Sequence, residues 1–179
     1  MEFVHKSVLF AETVAAMQAT PGKWLVDGTA GGGGHARAIA ESGCHLLAVD
    51  QDPDAITVLH RRLDDLPNVT IVHDNFANIK NILTDRGLSG IDGMLLDLGV
   101  SSFQLDTAER GFSFHQDAPL DMRMSQTGMT AADLVNTAEE SELSRILFTY
   151  GEERFARNIA RKIVAAREIA PVSYTHLRA

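Results

Sequence analysis

A glycine-rich stretch near the start of the chain, residues 26–35 (VDGTAGGGGH), most limits which folds this sequence can adopt. The residues just before it, 23–26, predict a short and mainly apolar β-strand, and residues 36–40 predict a helix. Glycines between a strand and a helix allow positive φ angles and leave no Cβ to obstruct a ligand. The stretch therefore indicates a loop that lets a small polar ligand lie against bare backbone.

Three further apolar segments alternate with helical patterns over the first hundred residues. We predict strands over 45–50, 69–74 and 91–98, with helices that begin at Pro53 and Phe76. Alternating strands and helices are typical of a parallel sheet with right-handed crossovers. The predicted fold class is α/β and Rossmann-like, with the four strands in the order 3-2-1-4.

The acid at the end of the first strand, Asp27, bears on which ligand the loop binds. The glycines that follow it do not keep the G-x-G-x-x-G spacing of dinucleotide loops. A carboxylate at this point would repel a pyrophosphate but suits a cation, such as the sulfonium and ammonium groups of S-adenosylmethionine. A nicotinamide-dependent oxidoreductase is the alternative class, and a glycine-rich turn with no ligand is a third interpretation.

The ends of the other predicted strands supply more candidate contacts. Asp50 lies nineteen residues after Gly31, the spacing at which an acid accepts hydrogen bonds from a ribose diol. Phe76 follows the third strand, where its ring would lie beside an adenine or pack in the core. Asp97 ends the fourth strand, level with the reactive end of a bound nucleoside.

The charge of the chain is unevenly distributed. The formal net charge is −8, and residues 1–109 hold seven Lys/Arg against fifteen Asp/Glu, whereas residues 110–179 hold nine of each. We therefore expect a polyanion to meet the second part of the chain. There, a helix predicted over 153–170 carries Arg154, Arg157 and Arg161 opposite its apolar face, as a phosphate-binding stripe or a solvated surface.

Composition excludes several classes of protein. Cys44 is the only cysteine, so a disulfide within the chain and a cysteine metal cluster are excluded, and we predict no metal site. No segment approaches the roughly 20 apolar residues of a membrane span. These features predict a cytoplasmic protein without a membrane partner.

The second part of the chain changes character. Residues 99–129 show no clear periodicity, and an irregular segment of that length predicts a functional loop. Helices are predicted over 131–137, 141–151 and 153–170, the first of them capped by Thr130.

Six sequence blocks, taken in order, resemble the RsmH (MraW) family of bacterial 16S ribosomal RNA cytosine-N4 methyltransferases. The glycine loop alone is a weak signal, but the later blocks are highly specific, and the resemblance covers residues 5 to about 170. The blocks are DGTAGGGGH at 27–35, DLGVSS at 97–102, QLD at 104–106, ERGFSF at 109–114, PLDMRM at 119–124 and YGEERF at 150–155.

The resemblance implies an S-adenosylmethionine-dependent enzyme of rRNA processing that methylates the exocyclic N4 of a cytidine in the small ribosomal subunit. It implies a Rossmann-like methyltransferase domain, here residues 1–114, with a helical insert at 115–171. It does not identify a catalytic residue or the oligomeric state. The cofactor contacts that it implies are Gly33, Gly34, His35, Asp50, Phe76, Asp97 and Gln104.

The chain departs from the family pattern at its end. The later strands of the family's sheet are missing, and residues 172–179 do not resemble the family's continuation. We therefore expect an N-terminal fragment with a non-native tail, whose activity is in question. An inactive fragment that still binds the cofactor is accordingly a further alternative.

Overall fold

A parallel β-sheet lies at the centre of the N-terminal half of the computed structural model, which describes residues 9–115 and 117–173. Within these residues the sheet has four strands in the order β3-β2-β1-β4, and all three pairings are parallel. The predicted fold class and strand order are confirmed. The strands are β1 (Trp24–Asp27), β2 (His45–Asp50), β3 (Val69–His73) and β4 (Gly93–Leu95).

The chain divides into two compact units, with the boundary between Gly99 and Val100. In the first unit, Asp52 caps a helix by accepting a hydrogen bond from the Asp54 backbone N–H, and Pro53 occupies its first turn. A short 3-10 turn at Phe76–Asn78 leads into the last helix of this unit. The helices are α1 (Phe10–Ala16), α2 (Gly34–Ala40), α3 (Pro53–Leu63) and α4 (Ile79–Thr84).

The apolar run of β2 is explained by burial on both faces of the sheet. Leu46 and Ala48 belong to one core cluster, and Leu47 and Val49 belong to another. Successive side chains of a strand point to opposite faces, so an unbroken apolar run fits a central strand covered on both sides. The first cluster includes Ile39, Leu59 and Leu63 from α2 and α3, and the second includes Ile82 from α4.

The fourth strand is shorter than predicted, since it spans Gly93–Leu95 rather than 91–98. Its only partner among the described residues is β1, whose last paired residue, Asp27, lies opposite Leu95. Beyond that pair β1 turns into the glycine loop, and the apolar residues Leu96 and Leu98 are exposed. The apolar pattern continues past the point where a paired neighbour exists, which is why the prediction was too long.

The second unit contains α5 (Ser102–Asp106), α6 (Ala131–Thr137), α7 (Glu140–Gly151) and α8 (Ala156–Arg167). Thr130 caps α6 as predicted. The predicted helix over 153–170 begins three residues later, so Arg154 precedes it. The core of this unit contains Leu143, Ala160, Ile163 and Val172.

The segment predicted to be irregular, 99–129, contains α5 and is held by specific contacts. The buried Arg110 donates hydrogen bonds to the carbonyls of Arg123 and Met124, at 3.0 and 2.9 Å. Gly111 has a φ of +72°, and a Cβ on it would meet the backbone of Pro119 and Asp121. Two stretches of this segment therefore cross in close contact.

The predicted domain limit, between residues 114 and 115, concerns the family's domain organisation, whereas the two compact units are defined by contacts within this chain. A helical insert starting near residue 115 stays a prediction about the family's domain organisation. Val172, the first residue of the predicted tail, is buried, and its backbone N–H donates to Asn136 Oδ1 at 2.7 Å. Residues 174–179 lie outside the described residues.

Across 9–115 and 117–173, no helix combines the length and apolarity that crossing a membrane requires.

Candidate functional site

Four acids lie at the carboxyl ends of the four strands. Asp27 and Asp50 are the last residues of β1 and β2, Asp74 follows β3, and Asp97 lies two residues beyond β4. Because the strands are parallel, these ends share one edge of the sheet, where ligands bind in open α/β sheets. The structure thus brings together acids that are far apart in the sequence.

Asp27 is the most deeply buried of these acids, with 1% of its surface exposed. Burial, helped by the nearby carboxylates of Asp50 and Asp97, raises the pKa of its carboxyl to about 7. The Thr29 backbone N–H, which donates to Oδ1 at 3.3 Å, only partly offsets this. A cation bound beside this group would favour its ionised form and lower its pKa again.

Asp50 supports the glycine loop directly. Its Oδ2 accepts a hydrogen bond from the Gly31 backbone N–H at 2.7 Å, and its Oδ1 accepts one from the Asp52 N–H at 2.9 Å. Burial raises the pKa of the Asp50 carboxyl above its usual value, and these two hydrogen bonds, together with a third from the Gln51 backbone, only partly offset this rise. A carboxylate has about four lone-pair sites, so Asp50 retains acceptor capacity for a ligand, and its ribose role stays a prediction.

The loop requires glycine at particular positions. Gly33 has a φ of +77° and lies against Leu59, which a Cβ would approach to 3.1 Å. A Cβ on Gly28 would lie 2.7 Å from Met94 Cε, the end of a flexible side chain that would have to move, and 3.2 Å from Phe76 Cβ. Phe76, half-buried, therefore packs beside the loop, as its proposed place near an adenine requires.

His35 follows the loop and is 8% exposed. Its Nε2 is buried and has no hydrogen-bond partner among the described residues. Its ring stacks on Phe10 with the centroids 5.2 Å apart. A buried imidazole nitrogen without a partner is costly, and a ligand atom at this point would satisfy it. Gly34, beside it, is exposed at the start of α2.

Asp97 is exposed, but its backbone is fixed to the loop. Its N–H donates to Thr29 Oγ1 at 2.7 Å. Six of the seven predicted contact residues thus lie in the first unit, around β1, the glycine loop and the start of α2. The seventh, Gln104, belongs to the second unit, where its Oε1 accepts from the Ser101 N–H at 3.1 Å in a capping box.

The site also includes residues that the predicted contact set omits. Thr29 joins the loop to Asp97, and Gly31 joins it to Asp50. Asp27 was noted for its charge without being assigned as a contact. All three could have been found from their position at the end of the first strand and in the loop. No spacing rule specifies which backbone N–H donates to which side chain, however.

An open groove of about 580 Å³ runs beside the loop on the α2–α3 side and is lined partly by Gly33 and Gly34. Arg62 Nη1 donates to the Gly32 carbonyl at 2.7 Å. Arg37 joins α2 to the end of α3 through two hydrogen bonds to Asp65, at 3.0 and 2.8 Å. Arg62 thus braces the loop, whereas Arg37 ties α2 to Asp65, just beyond α3, through an ion pair.

Comparison with known proteins finds one family model, that of the MraW methylase family, which matches residues 2–177. Curated relatives named ribosomal RNA small subunit methyltransferase H include one from Deinococcus deserti, 52% identical over 172 residues, or 96% of this chain and 57% of the relative. One from Lachnospira eligens is 51% identical over 98% of this chain and 57% of its own length. The chain thus spans a little over half the length of these relatives.

Proposed function

The chain belongs to the MraW methylase family, and we propose that this protein transfers a methyl group from S-adenosylmethionine to the exocyclic N4 of a cytidine in 16S ribosomal RNA. The relatives named above are ribosomal RNA small subunit methyltransferases. The proposed partner is accordingly the small ribosomal subunit, and the proposed location is the cytoplasm.

The observation that carries the proposal is the set of carboxyl groups around the glycine loop. The carboxylates of Asp50 and Asp97 lie close enough to raise the pKa of the buried Asp27 carboxyl. Such a site favours a cationic ligand and opposes the pyrophosphate of a nicotinamide cofactor. The unpartnered Nε2 of His35 also fits a polar ligand lying over the loop.

We assign the following roles to the residues of the first unit. The backbone at Gly33 and Gly34 lets the cofactor approach closely, and His35 offers it a buried imidazole. Asp50 accepts hydrogen bonds from the ribose while it keeps Gly31 in place. Phe76 forms one wall of the adenine pocket. Gln104, in the second unit, is assigned as a contact through the family resemblance alone.

The bound cofactor would supply a methyl group on a positively charged sulfur. The amine of cytosine is a weak nucleophile because its lone pair is delocalised into the ring. A carboxylate that accepts a hydrogen bond from this amine would stabilise the positive charge that develops on nitrogen. Asp97 is the candidate for this role and for a cofactor contact, since its side chain is exposed while Thr29 holds its backbone.

Two measurements test the proposal. Calorimetry with S-adenosylmethionine and with NADH should show binding of the first alone. Incubation with small ribosomal subunits and methyl-labelled cofactor, followed by nucleoside digestion, should yield N4-methylcytidine. Binding of NADH, or label in another nucleoside, would contradict the proposed function, whereas cofactor binding without methyl transfer would support the inactive alternative.

Asp97→Asn separates the two roles of that residue. The amide retains a carbonyl acceptor but removes the negative charge. If Asp97 activates the amine, kcat falls and the cofactor Kd changes little. If it only contacts the cofactor, the Kd rises and kcat at saturating cofactor is preserved.

A further inference from the structure

Two aromatic rings at the end of α7 and the start of α8 are exposed and do not pack in the core of the second unit. Tyr150, near the end of α7, is 73% exposed, and Phe155, which caps α8, is 67% exposed. The face of α8 that packs in the core consists instead of Ala156, Ala160 and Ile163. Exposed aromatic rings at two nearby positions therefore suggest contact with another molecule.

Arginines flank these rings. Arg154, Arg157 and Arg161 are all exposed, and none forms an ion pair with the residues that the structure describes. Arg157 and Arg161 lie one helical turn apart on α8, so they share a face. These guanidinium groups are available to an anion.

Two other charged side chains near the turn are engaged locally. Glu153 Oε1 accepts a hydrogen bond from the Phe155 N–H at 2.7 Å. Arg145 pairs with Glu142 at 2.7 Å and lies 5.8 Å from the centroid of the Tyr150 ring. This cation–π contact restrains the Tyr150 ring, which lowers the entropy lost when a partner stacks on it.

We propose that Tyr150, Arg154, Phe155, Arg157 and Arg161, here called the α7–α8 surface, bind single-stranded RNA. The aromatic rings stack on bases, and the arginines contact phosphates. Aromatic platforms beside cationic side chains are the chemistry by which proteins hold unpaired nucleotides. A protein partner would not require unpaired arginines around the rings. The inference rests on the proposed function, because it assigns that enzyme a surface for its RNA substrate.

The test uses the 179-residue chain and a fluorescent single-stranded RNA, with binding measured by anisotropy across a salt series. A matched oligonucleotide keeps the phosphates but replaces the bases with abasic sites. Tyr150→Ala should weaken binding of the base-containing RNA by about five- to a hundred-fold and leave abasic binding unchanged. Tyr150→Phe, which keeps the ring, should match the unsubstituted chain.

The arginines are tested by their salt dependence. Replacing Arg157 and Arg161 together with glutamine should lower the slope of log K against log salt by about 1.4, since each phosphate contact to a single strand contributes roughly 0.7. Lys80→Gln, a charge change in α4 of the first unit, is the control and should leave the slope unchanged. Thermal melting of every variant verifies that it is folded.

Three results of the RNA-binding measurements would overturn the inference: no RNA binding by the unsubstituted chain, equal loss of abasic and base-containing binding in Tyr150→Ala, or an unchanged slope in the arginine variant. Loss of self-association, rather than of RNA binding, in Tyr150→Ala would likewise overturn it in favour of a protein contact. Failure of the proposed function is distinguishable, because it appears as absent cofactor binding or methyl transfer while RNA binding by this surface persists.

Discussion

At the scale of single residues, the burial of Asp27 makes the stability of the first unit depend on pH. Its carboxyl has a pKa of about 7 in the folded protein and about 3.9 in an unfolded chain. Below the lower value both states hold the proton and the group has no effect. As pH rises from about 4 to 7 only the unfolded state releases the proton, so the free energy of unfolding falls, by about 4 kcal/mol in total.

Asp27→Asn should therefore stabilise the protein at pH 8 and have a shrinking effect towards pH 4. The amide keeps an acceptor for the Thr29 N–H, and it needs no proton to stay neutral beside Asp50 and Asp97. Melting temperatures of both chains from pH 4 to 8 provide the measurement. A difference that is constant across this range would show that Asp27 is not the titrating group.

Asp50→Ala should weaken S-adenosylmethionine binding by about ten- to a hundred-fold, since hydrogen bonds to a charged acceptor are worth roughly 1.5–3 kcal/mol. The structure adds a second effect, because the substitution also frees the Gly31 and Asp52 N–H groups. We expect a lower melting temperature together with the loss of affinity measured by calorimetry. Unchanged affinity in the folded variant would contradict the ribose role.

At the scale of elements, the sequence pattern predicted the limits of those helices and strands whose ends are set by burial or by a capping residue. The limits of β2 and of α6 match the prediction, because β2 is buried on both faces and α6 has a capping threonine. The length of β4 could not be predicted, since it depends on where β1 turns away. Helix α5 was missed although Ser101 and Gln104 form a capping box, because five residues are too few to show a helical period.

The open edge of β4 leads to a prediction of self-association. No strand pairs with its second side among the described residues, and Leu98 beyond it is 68% exposed. Unpaired, apolar strand edges recruit other chains. Sedimentation velocity should show concentration-dependent association of the 179-residue chain, reduced by Leu98→Lys.

Leu98→Lys should leave the melting temperature nearly unchanged, because an exposed side chain contributes little to the core. Lys80→Leu, which removes an exposed charge from α4 of the first unit, serves as the comparison and should not reduce association. Equal association of the chain with and without Leu98→Lys would exclude this edge as the contact.

At the scale of the whole molecule, each compact unit has its own core. The clusters around Leu25 and Val26 stabilise the first unit, and the cluster around Leu143 and Ile163 stabilises the second. The sequence predicted a change of character after the fourth strand. That change, after Leu98, lies one residue from the boundary at Gly99, whereas the domain limit implied by the family resemblance, between residues 114 and 115, does not coincide with it.

Ile163→Ala should destabilise the second unit alone. Ile163 is 7% exposed, and truncating a buried isoleucine costs about 2–5 kcal/mol. Hydrogen exchange should show lost amide protection over α6 to α8, with protection retained over β1 to β3. Equal loss in both units would show that the chain unfolds as one cooperative body.

The close crossing at Gly111 also constrains how the gene for this protein can change. Every single-nucleotide missense change in a glycine codon introduces a residue with a Cβ. At this position the new atom would lie 2.7 Å from the Asp121 nitrogen, on a backbone already in the left-handed region. Neither obstacle involves a flexible side chain that could move aside, so no one-step substitution is mild. A mutational scan should find this codon as intolerant as those of the buried core, although the residue itself buries almost no apolar surface.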